Sequence, residues 1–151
     1  MADDVSDVLV VEDNPGDIRM IQKGFEESRI ASSVTVVSDG AAALAYLRQR
    51  NESQSQLDLM LLDLNIPKQP GEAILEAMQT TLDGLSMPVV VLSGSESENH
   101  IHRTYELGAD GYFIKPTDPI TFIRLIRFVS ETVADSGVAP LGKYADLAPA
   151  S

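Results

Sequence analysis

The stretch Leu57-Asp58-Leu59-Met60-Leu61-Leu62-Asp63, followed by the loop Leu64-Asn65-Ile66-Pro67-Lys68-Gln69-Pro70-Gly71, decides the fold. Four apolar residues, 59–62, end abruptly at an acid and then at a loop with two prolines and a glycine. The run is too short for an ordinary helix, so it predicts a strand buried on both faces. Such strands form parallel sheets, whose ligands bind at the carboxyl ends of the strands. Asp63 stands at such an end, either as a site residue or as a plain turn-former or helix cap.

The length and residue content narrow the classes of protein to consider. A chain of 151 residues predicts one domain with a substantial core. It contains no cysteine, which excludes disulfides, thiolate metal sites and a cysteine nucleophile. No apolar run reaches membrane-spanning length, and the acidic start of the chain is unlike a signal peptide. We therefore expect a cytoplasmic protein without a membrane partner.

The charge is strongly negative, with 23 acids, 11 bases and a net charge of −12. A surface of this sign repels phosphate backbones, so no nucleic-acid partner is expected. Only four of the bases are lysines. Two explanations stay open: a surface adapted to a high-salt cytoplasm, where screening removes the self-repulsion, or an ordinary acidic protein.

Four further segments are typical of strands, and three of them also end in polar residues. The run over 8–11 stops at Glu12 and Asp13, the run over 89–92 stops at Ser93, and the run over 111–114 stops at Lys115. The β-branched segment 33–37, second in chain order, completes the set of five predicted strands. Apolar spacing and turn residues predict helices over 15–28, 41–49, 72–80, 96–107 and 119–133, with Asn14 and Asp118 as caps.

Five strands that alternate with five helices predict a doubly wound parallel sheet. The carboxyl ends of such strands share one edge, so the acids, Ser93 and Lys115 are expected to converge there. The domain is predicted to cover residues 1–133, with its core over about 5–133. Residues 134–151 are rich in alanine, glycine and proline and lack periodicity, which predicts a mostly disordered tail.

Residues 5–133 resemble the receiver domains of two-component response regulators. The matching segments are Val10-Val11-Glu12-Asp13-Asn14, Leu61-Leu62-Asp63-Leu64-Asn65-Ile66-Pro67, Val91-Leu92-Ser93-Gly94 and Gly108-Ala109-Asp110-Gly111-Tyr112-Phe113-Ile114-Lys115-Pro116. Their order and spacing together are highly specific. The resemblance is greatest to single-domain regulators of phytochrome-type or related hybrid histidine kinases. It implies a flavodoxin-like (βα)5 receiver fold with the strand order 2-1-3-4-5.

The resemblance also implies a chemistry. Asp63 is then the phosphoacceptor, which takes the phosphoryl group of a phosphohistidine on a sensor histidine kinase or a phosphotransfer protein. Glu12, Asp13, Asp63 and the backbone carbonyl of Asn65 are the implied ligands of Mg²⁺. Lys115 is the implied cation for the phosphoryl oxygens, and its bond to the following proline is implied to be cis.

Two further residues match the family's switch. Ser93 corresponds to the hydroxyl that moves to the phosphoryl group, and Gly94 beside it leaves room for that group. Tyr112 corresponds to the aromatic residue that packs inward when the hydroxyl moves. A solvated serine at a strand end and a half-buried strand tyrosine are the ordinary alternatives for these two residues. The implied equilibrium between two conformations is what phosphorylation would bias.

Two other functions are disfavoured by the residues. A phosphatase of the haloacid-dehalogenase type forms the same aspartyl phosphate, but it needs an acid two residues after the nucleophile, where this chain has Asn65. A DNA-binding regulator needs an output domain, and about eighteen residues follow residue 133, too few for a helix-turn-helix module. We therefore expect a phosphorylation-operated switch that acts on a downstream protein target and is not an enzyme with an external substrate.

The last helix suggests a partner surface. On a helical wheel the core stripe comprises Phe122, Ile126, Val129 and Val133, Leu125 lies at its edge, and Phe128 lies outside it. Receivers commonly dimerise on the face of their fourth helix, fifth strand and fifth helix. Leu125 and Phe128 are therefore predicted to anchor a contact, in the form of a homodimer, with Phe128 next to Tyr112 and with Arg124 and Arg127 at the rim.

Overall fold

A computed structural model describes residues 5–68, 70–82 and 85–141. Within these residues the strands are β1 (Ser6–Val11), β2 (Ser32–Val37), β3 (Leu59–Asp63), β4 (Val89–Ser93) and β5 (Gly111–Ile114). The helices are α1 (Pro15–Glu27), α2 (Gly40–Glu52), α3 (Gly71–Gln79), α4 (Glu98–Glu106) and α5 (Pro119–Ser136), with a final 3₁₀ turn over Ala139–Leu141. No described helix is both long and apolar enough to cross a membrane.

The five strands form one parallel sheet in the order β2-β1-β3-β4-β5, which confirms the predicted topology. β3 lies in the middle, and each of its five residues is buried. Alternate residues of a strand point to opposite faces, so both faces of β3 need an apolar cover. This requirement explains why the central strand consists of an unbroken run of leucine and methionine before Asp63.

Two apolar clusters cover the two faces of the sheet. On one face Met60 and Leu62 of β3 pack with residues of α2 and α3, and with half-buried residues of α4. On the other face Leu59 and Leu61 pack with residues of α1 and α5. Consecutive residues of the strand therefore alternate between the two clusters, so that helices cover both faces of the sheet, as a doubly wound fold requires.

Side-chain caps fix where four of the helices begin. Asn14, Asp39, Ser97 and Asp118 each accept a hydrogen bond from a backbone N–H in the first turn. The caps predicted at Asn14 and Asp118 are confirmed. The fourth helix begins at Glu98 and not at residue 96, because the hydroxyl of Ser97 accepts from the N–H of His100 and ends the preceding loop.

The helices α1 and α5 lie against each other on one face of the sheet. A Cβ built on Gly24 of α1 would lie 2.4 Å from Cβ of Ile126 and 2.9 Å from the carbonyl oxygen of Ile123. The hydroxyls of Ser28 and Ser130 join the same two helices at 2.9 Å. The absence of a side chain at Gly24 is therefore what allows the two helices to approach.

Residues 134–141 are ordered, contrary to the predicted disorder from residue 134. Helix α5 continues to Ser136, and Gly137 ends it with a φ of 73°. The chain then turns so that Leu141 becomes fully buried, and its Cδ1 would lie 3.5 Å from a Cβ on Gly111. Burial of this leucine against β5 compensates for the weak helical pattern of the segment. Residues 142–151 of the predicted tail lie outside the described residues.

We expect Leu141→Ala to lower the free energy of unfolding by about 2–4 kcal/mol, because it removes a fully buried side chain. Val5→Ala is the control, since Val5 is 46% exposed and should change stability by less than about 0.5 kcal/mol. Urea unfolding followed by circular dichroism measures both values. Equal midpoints for wild type and Leu141→Ala would mean that the domain ends before the 3₁₀ turn.

Candidate functional site

Polar side chains from four strand ends lie together at one edge of the sheet. Glu12 and Asp13 follow β1, Asp63 ends β3, Ser93 ends β4, and Lys115 follows β5. The register pairs the last residues of β1 with β3, of β3 with β4 and of β4 with β5. The strand ends are therefore level, which brings residues distant in sequence to one place, as predicted.

The carboxylates of Glu12, Asp13 and Asp63 form an acidic cluster, in which one oxygen of each lies within 4.8 Å of those of the other two. Glu12 is 1% exposed and Asp63 is 6% exposed, whereas Asp13 faces solvent. Carboxylate oxygens are hard ligands of the kind that Mg²⁺ prefers. An exposed acid beside two buried ones leaves the cluster open on the solvent side.

Lys115 provides the counter-charge. Its Nζ lies 2.8 Å from Oε1 of Glu12, 2.9 Å from Oδ2 of Asp17 and 3.0 Å from Oδ2 of Asp63. Although burial works in the opposite direction, the contacts with these three carboxylates raise the pKa of Lys115 above its ordinary value. The raised pKa favours the charged ammonium at neutral pH.

The pKa of Glu12 departs from the ordinary value of a glutamate. Burial raises its pKa to about 7, against the lowering influence of Lys115, and the nearby charge of Asp63 adds to the rise. Oε2 accepts a hydrogen bond from the N–H of Asn14 at 3.2 Å. Oε1 is buried and forms an ion pair with Nζ of Lys115 at 2.8 Å, although the geometry of this contact is not that of a hydrogen bond.

Three carboxylates share the single ammonium of Lys115, so the cluster keeps an excess of negative charge that is costly to bury. A divalent cation held by Glu12, Asp13 and Asp63 would neutralise that excess. The residues present therefore fit a Mg²⁺ site.

Asp63 is held on both of its oxygens. Oδ2 accepts from Lys115, and Oδ1 accepts from the backbone N–H of Asn65 at 3.0 Å. The contact with Asn65 is a turn that closes on the acid at the strand end. It orients the carboxylate toward the edge of the sheet, and the carbonyl of Asn65 as a metal ligand stays a prediction.

The backbone of Ser95 joins the two residues predicted to switch. Its N–H donates to Oγ of Ser93 at 3.2 Å, and its carbonyl oxygen accepts from the hydroxyl of Tyr112 at 2.9 Å. Ser93 is 5% exposed and Tyr112 is fully buried. The ring of Tyr112 also packs edge-on against that of His100, with 6.2 Å between the centroids.

Two expectations about the neighbourhood of Lys115 and Tyr112 are wrong. The peptide bond between Lys115 and Pro116 is trans, the isomer that X–Pro bonds prefer by about 0.5–1 kcal/mol. Tyr112 does not belong to the α5 side, because it packs in the cluster with α2 and α3, whereas the core residues of α5 pack on the opposite face. Phe128 is 41% exposed, which confirms its predicted exposure, and Leu125 is half-buried.

Asp17 is a site residue that the sequence analysis missed. It lies in the first turn of α1, where its N–H donates to Oδ1 of Asn14 at 3.0 Å and its carboxylate reaches Lys115. The available signal in the sequence was a third acid, Asp17, close after Glu12 and Asp13. An acid in the first turn of a helix is common for electrostatic reasons alone, and this ordinary explanation concealed its contact with Lys115.

Comparisons with known proteins agree with this geometry. The family model of the response regulator receiver domain matches residues 8–127. The response regulator Rcp1 of Synechocystis sp. (strain ATCC 27184 / PCC 6803 / Kazusa) is 36% identical over 122 residues, which cover 80% of this chain and 83% of Rcp1.

Two solved structures have the same fold. The phosphorylated cyanobacterial phytochrome response regulator RcpA is similar with a TM-score of 0.77 and 35% identity, covering 87% of this chain and 96% of RcpA. The Mn²⁺-bound form of Rcp1 is similar with a TM-score of 0.75 and 30% identity, over 87% of this chain and 96% of the neighbour.

The raised pKa of Glu12 predicts a pH dependence of stability in metal-free protein. The folded state keeps a proton on Glu12 up to about pH 7, whereas the ordinary value is 4.5, so the free energy of unfolding should fall between these two pH values. The fall should reach up to about 3 kcal/mol. Denaturant unfolding of wild type and Glu12→Gln at pH 5, 6, 7 and 8 with a chelator measures it.

The Gln variant is the matched control, because it keeps the shape of the side chain and cannot titrate. Its advantage over wild type should grow from pH 5 to pH 8. Mg²⁺ at pH 8 should then stabilise wild type more than the variant, by mass action. Parallel pH curves for the two proteins would show that Glu12 is ionised across this range.

Proposed function

Because the chain belongs to the response regulator receiver domain family, we propose that it is a single-domain, cytoplasmic switch that accepts a phosphoryl group on Asp63 in a Mg²⁺-dependent reaction. The observation that carries the proposal is the position of Asp63, which ends the central strand, belongs to the acidic cluster and contacts Lys115. The match to 83% of Rcp1, a response regulator, supports the proposal. The donor is a phosphohistidine of a sensor histidine kinase or a phosphotransfer protein.

In the transfer, a carboxylate oxygen of Asp63 attacks phosphorus, the new P–O bond forms, and the P–N bond to the histidine breaks with its electron pair returning to the imidazole. Glu12, Asp13 and Asp63, with the carbonyl of Asn65, would hold Mg²⁺. When bound, the metal withdraws charge from the carboxylate and the phosphoryl oxygens. The Mn²⁺-bound form of Rcp1 and the phosphorylated form of RcpA support this assignment.

The chain's own residues prepare the site for the product. Lys115 already contacts Asp63 and offers an ammonium for the phosphoryl oxygens. A Cβ on Gly94 would meet no atom within 4 Å, which leaves space beside Ser93 for the new group. The hydroxyl of Ser93 is an acceptor for the N–H of Ser95 and keeps its own proton to donate to a phosphoryl oxygen.

The switch follows from the same contacts. When the hydroxyl of Ser93 turns to the phosphoryl group, the N–H of Ser95 loses its hydrogen bond to Oγ of Ser93. The carbonyl oxygen of Ser95 still accepts from the hydroxyl of Tyr112, so the position of this tyrosine responds to the loop. Phosphorylation thereby shifts an equilibrium that changes partner binding, and the protein needs no external substrate.

The output surface is proposed to include the solvent face of α5. Phe128 is 41% exposed and Ile120, two turns earlier in the same helix, is 60% exposed. Residues at a spacing of four lie on one side of a helix, so these two flank Arg124 on a single stripe. An apolar and cationic stripe on an acidic protein is suited to a second copy of the chain, with Leu125 and Phe128 as anchors and Arg124 and Arg127 at the rim.

We expect wild type to be labelled by acetyl phosphate with Mg²⁺ and Asp63→Asn to show no stable label, because the amide is not a nucleophile toward phosphorus. Intact-mass spectrometry measures the addition of one phosphoryl group. Asp58→Asn is the control, since Asp58 lies at the opposite end of the central strand. Normal labelling of Asp63→Asn would place the phosphoacceptor elsewhere.

For the dimer, we expect beryllofluoride with Mg²⁺ to increase the sedimentation coefficient of wild type and to have no such effect on Phe128→Ser, because an interface loses an aromatic anchor. Val5→Ser controls for the loss of an exposed apolar side chain of similar exposure. If wild type and Phe128→Ser sediment identically under both conditions, α5 is not the dimer surface.

A further inference from the structure

A ring of contacts connects Asp17 to Glu12 and Lys115. The N–H of Asn14 donates to Oε2 of Glu12, the N–H of Asp17 donates to Oδ1 of Asn14, and Oδ2 of Asp17 accepts from Nζ of Lys115. The same Nζ returns to Oε1 of Glu12. The segment 12–17 thus holds the lysine through its own turn and helix cap.

The geometry points to Asp17 as a positioning residue for Lys115: we propose that it holds the ammonium over Asp63 during phosphoryl transfer. This inference rests on the proposed role of Asp63 as phosphoacceptor. One nitrogen lies at 2.9 Å from Asp17 and 3.0 Å from Asp63, so Asp17 does not withdraw the lysine from the acid. It gives the end of a long and flexible side chain a further carboxylate contact.

This contact matters because of what the reaction does to the other partners of Lys115. Phosphorylation converts the carboxylate of Asp63 into an acyl phosphate, so that the negative charge moves from the carboxylate to the phosphoryl oxygens. A cation held by Glu12 competes with Lys115 for Oε1. Asp17 lies outside the acidic cluster, so its contact with Lys115 persists through these changes. A lysine with one fixed partner loses less conformational freedom when it takes the phosphoryl oxygens.

Two explanations of Asp17 predict opposite signs. If Asp17 acts only through its charge, its removal reduces the repulsion of an anionic donor and labelling becomes faster. If Asp17 positions Lys115, its removal frees the ammonium and labelling becomes slower, by about tenfold for the loss of one charge-assisted hydrogen bond. A role confined to the start of α1 would lower stability without changing the rate.

The test is a double-mutant cycle on the initial rate of labelling by acetyl phosphate at a fixed, saturating Mg²⁺ concentration. The proteins are wild type, Asp17→Ala, Lys115→Ala and the double variant, with Glu26→Gln as a control that removes an exposed acid from the same helix. We expect Asp17→Ala to be about tenfold slower, Glu26→Gln to match wild type, and the double variant to match Lys115→Ala. Asp17→Asn takes the place of Asp17→Ala if the alanine variant does not fold, with a loss of the same sign.

The second measurement does not depend on phosphorylation. In a ¹⁵N–¹H correlation spectrum of lysine side chains, the ammonium signal of Lys115 should be visible in wild type, because its carboxylate contacts slow proton exchange. The signal should broaden in Asp17→Ala and persist in Glu26→Gln. A wild type that takes no label would overturn the proposed function, while this signal would still report on the contact between Asp17 and Lys115.

Three outcomes would overturn the inference. They are an unchanged or faster rate in Asp17→Ala, a double variant whose loss is the product of the two single losses, and an ammonium signal that is the same with and without Asp17. The first would leave only the charge of Asp17 or its helix cap. The second would mean that Asp17 and Lys115 act independently.

Discussion

A parallel sheet covered on both faces leaves the ends of its strands as the place where buried polar chemistry can reach solvent. β3 and β4 are buried along their whole length, and their last residues are Asp63 and Ser93. The two apolar clusters make the strands rigid and level, so the side chains beyond them have little freedom. The geometry of the site is therefore a consequence of how the core is packed.

At this edge the balance of charge is set by one cation. Four carboxylates, those of Glu12, Asp13, Asp17 and Asp63, lie around the ammonium of Lys115 or next to the groups that contact it. The acids outnumber the base, and the pKa of Glu12 is raised chiefly because the group is buried, with a further contribution from the charge of Asp63. A cluster that keeps an excess of negative charge beside one ammonium is suited to bind a second cation.

The fold and most of the site follow from local patterns in the sequence. Short apolar runs that end at Asp63 or Ser93 define both the strand and the position of its polar end, since burial and turn chemistry coincide there. Three features depend on contacts across the fold and have no local signal. Leu141 is buried only because the chain returns to Gly111, and the partner of Asp17 is 98 residues away. Tyr112 faces away from α5 because residues alternate along β5, which a helical wheel of α5 alone cannot indicate.

Ser95 connects Ser93, at the carboxyl end of β4, to the buried ring of Tyr112. Its N–H donates to Ser93 and its carbonyl oxygen accepts from Tyr112, so the backbone of one residue contacts both side chains. The ring of Tyr112 also contacts His100 of α4, and Nε2 of His100 lies 3.3 Å from a carboxylate oxygen of Glu72 in α3. A change in the hydroxyl of Ser93 therefore has a continuous route of direct contacts to two helices. These contacts define a path, and energetic coupling along it requires that the loop around Ser95 have two discrete arrangements. A Cβ built on Gly94 would meet no atom within 4 Å, so the start of this loop has open space beside it.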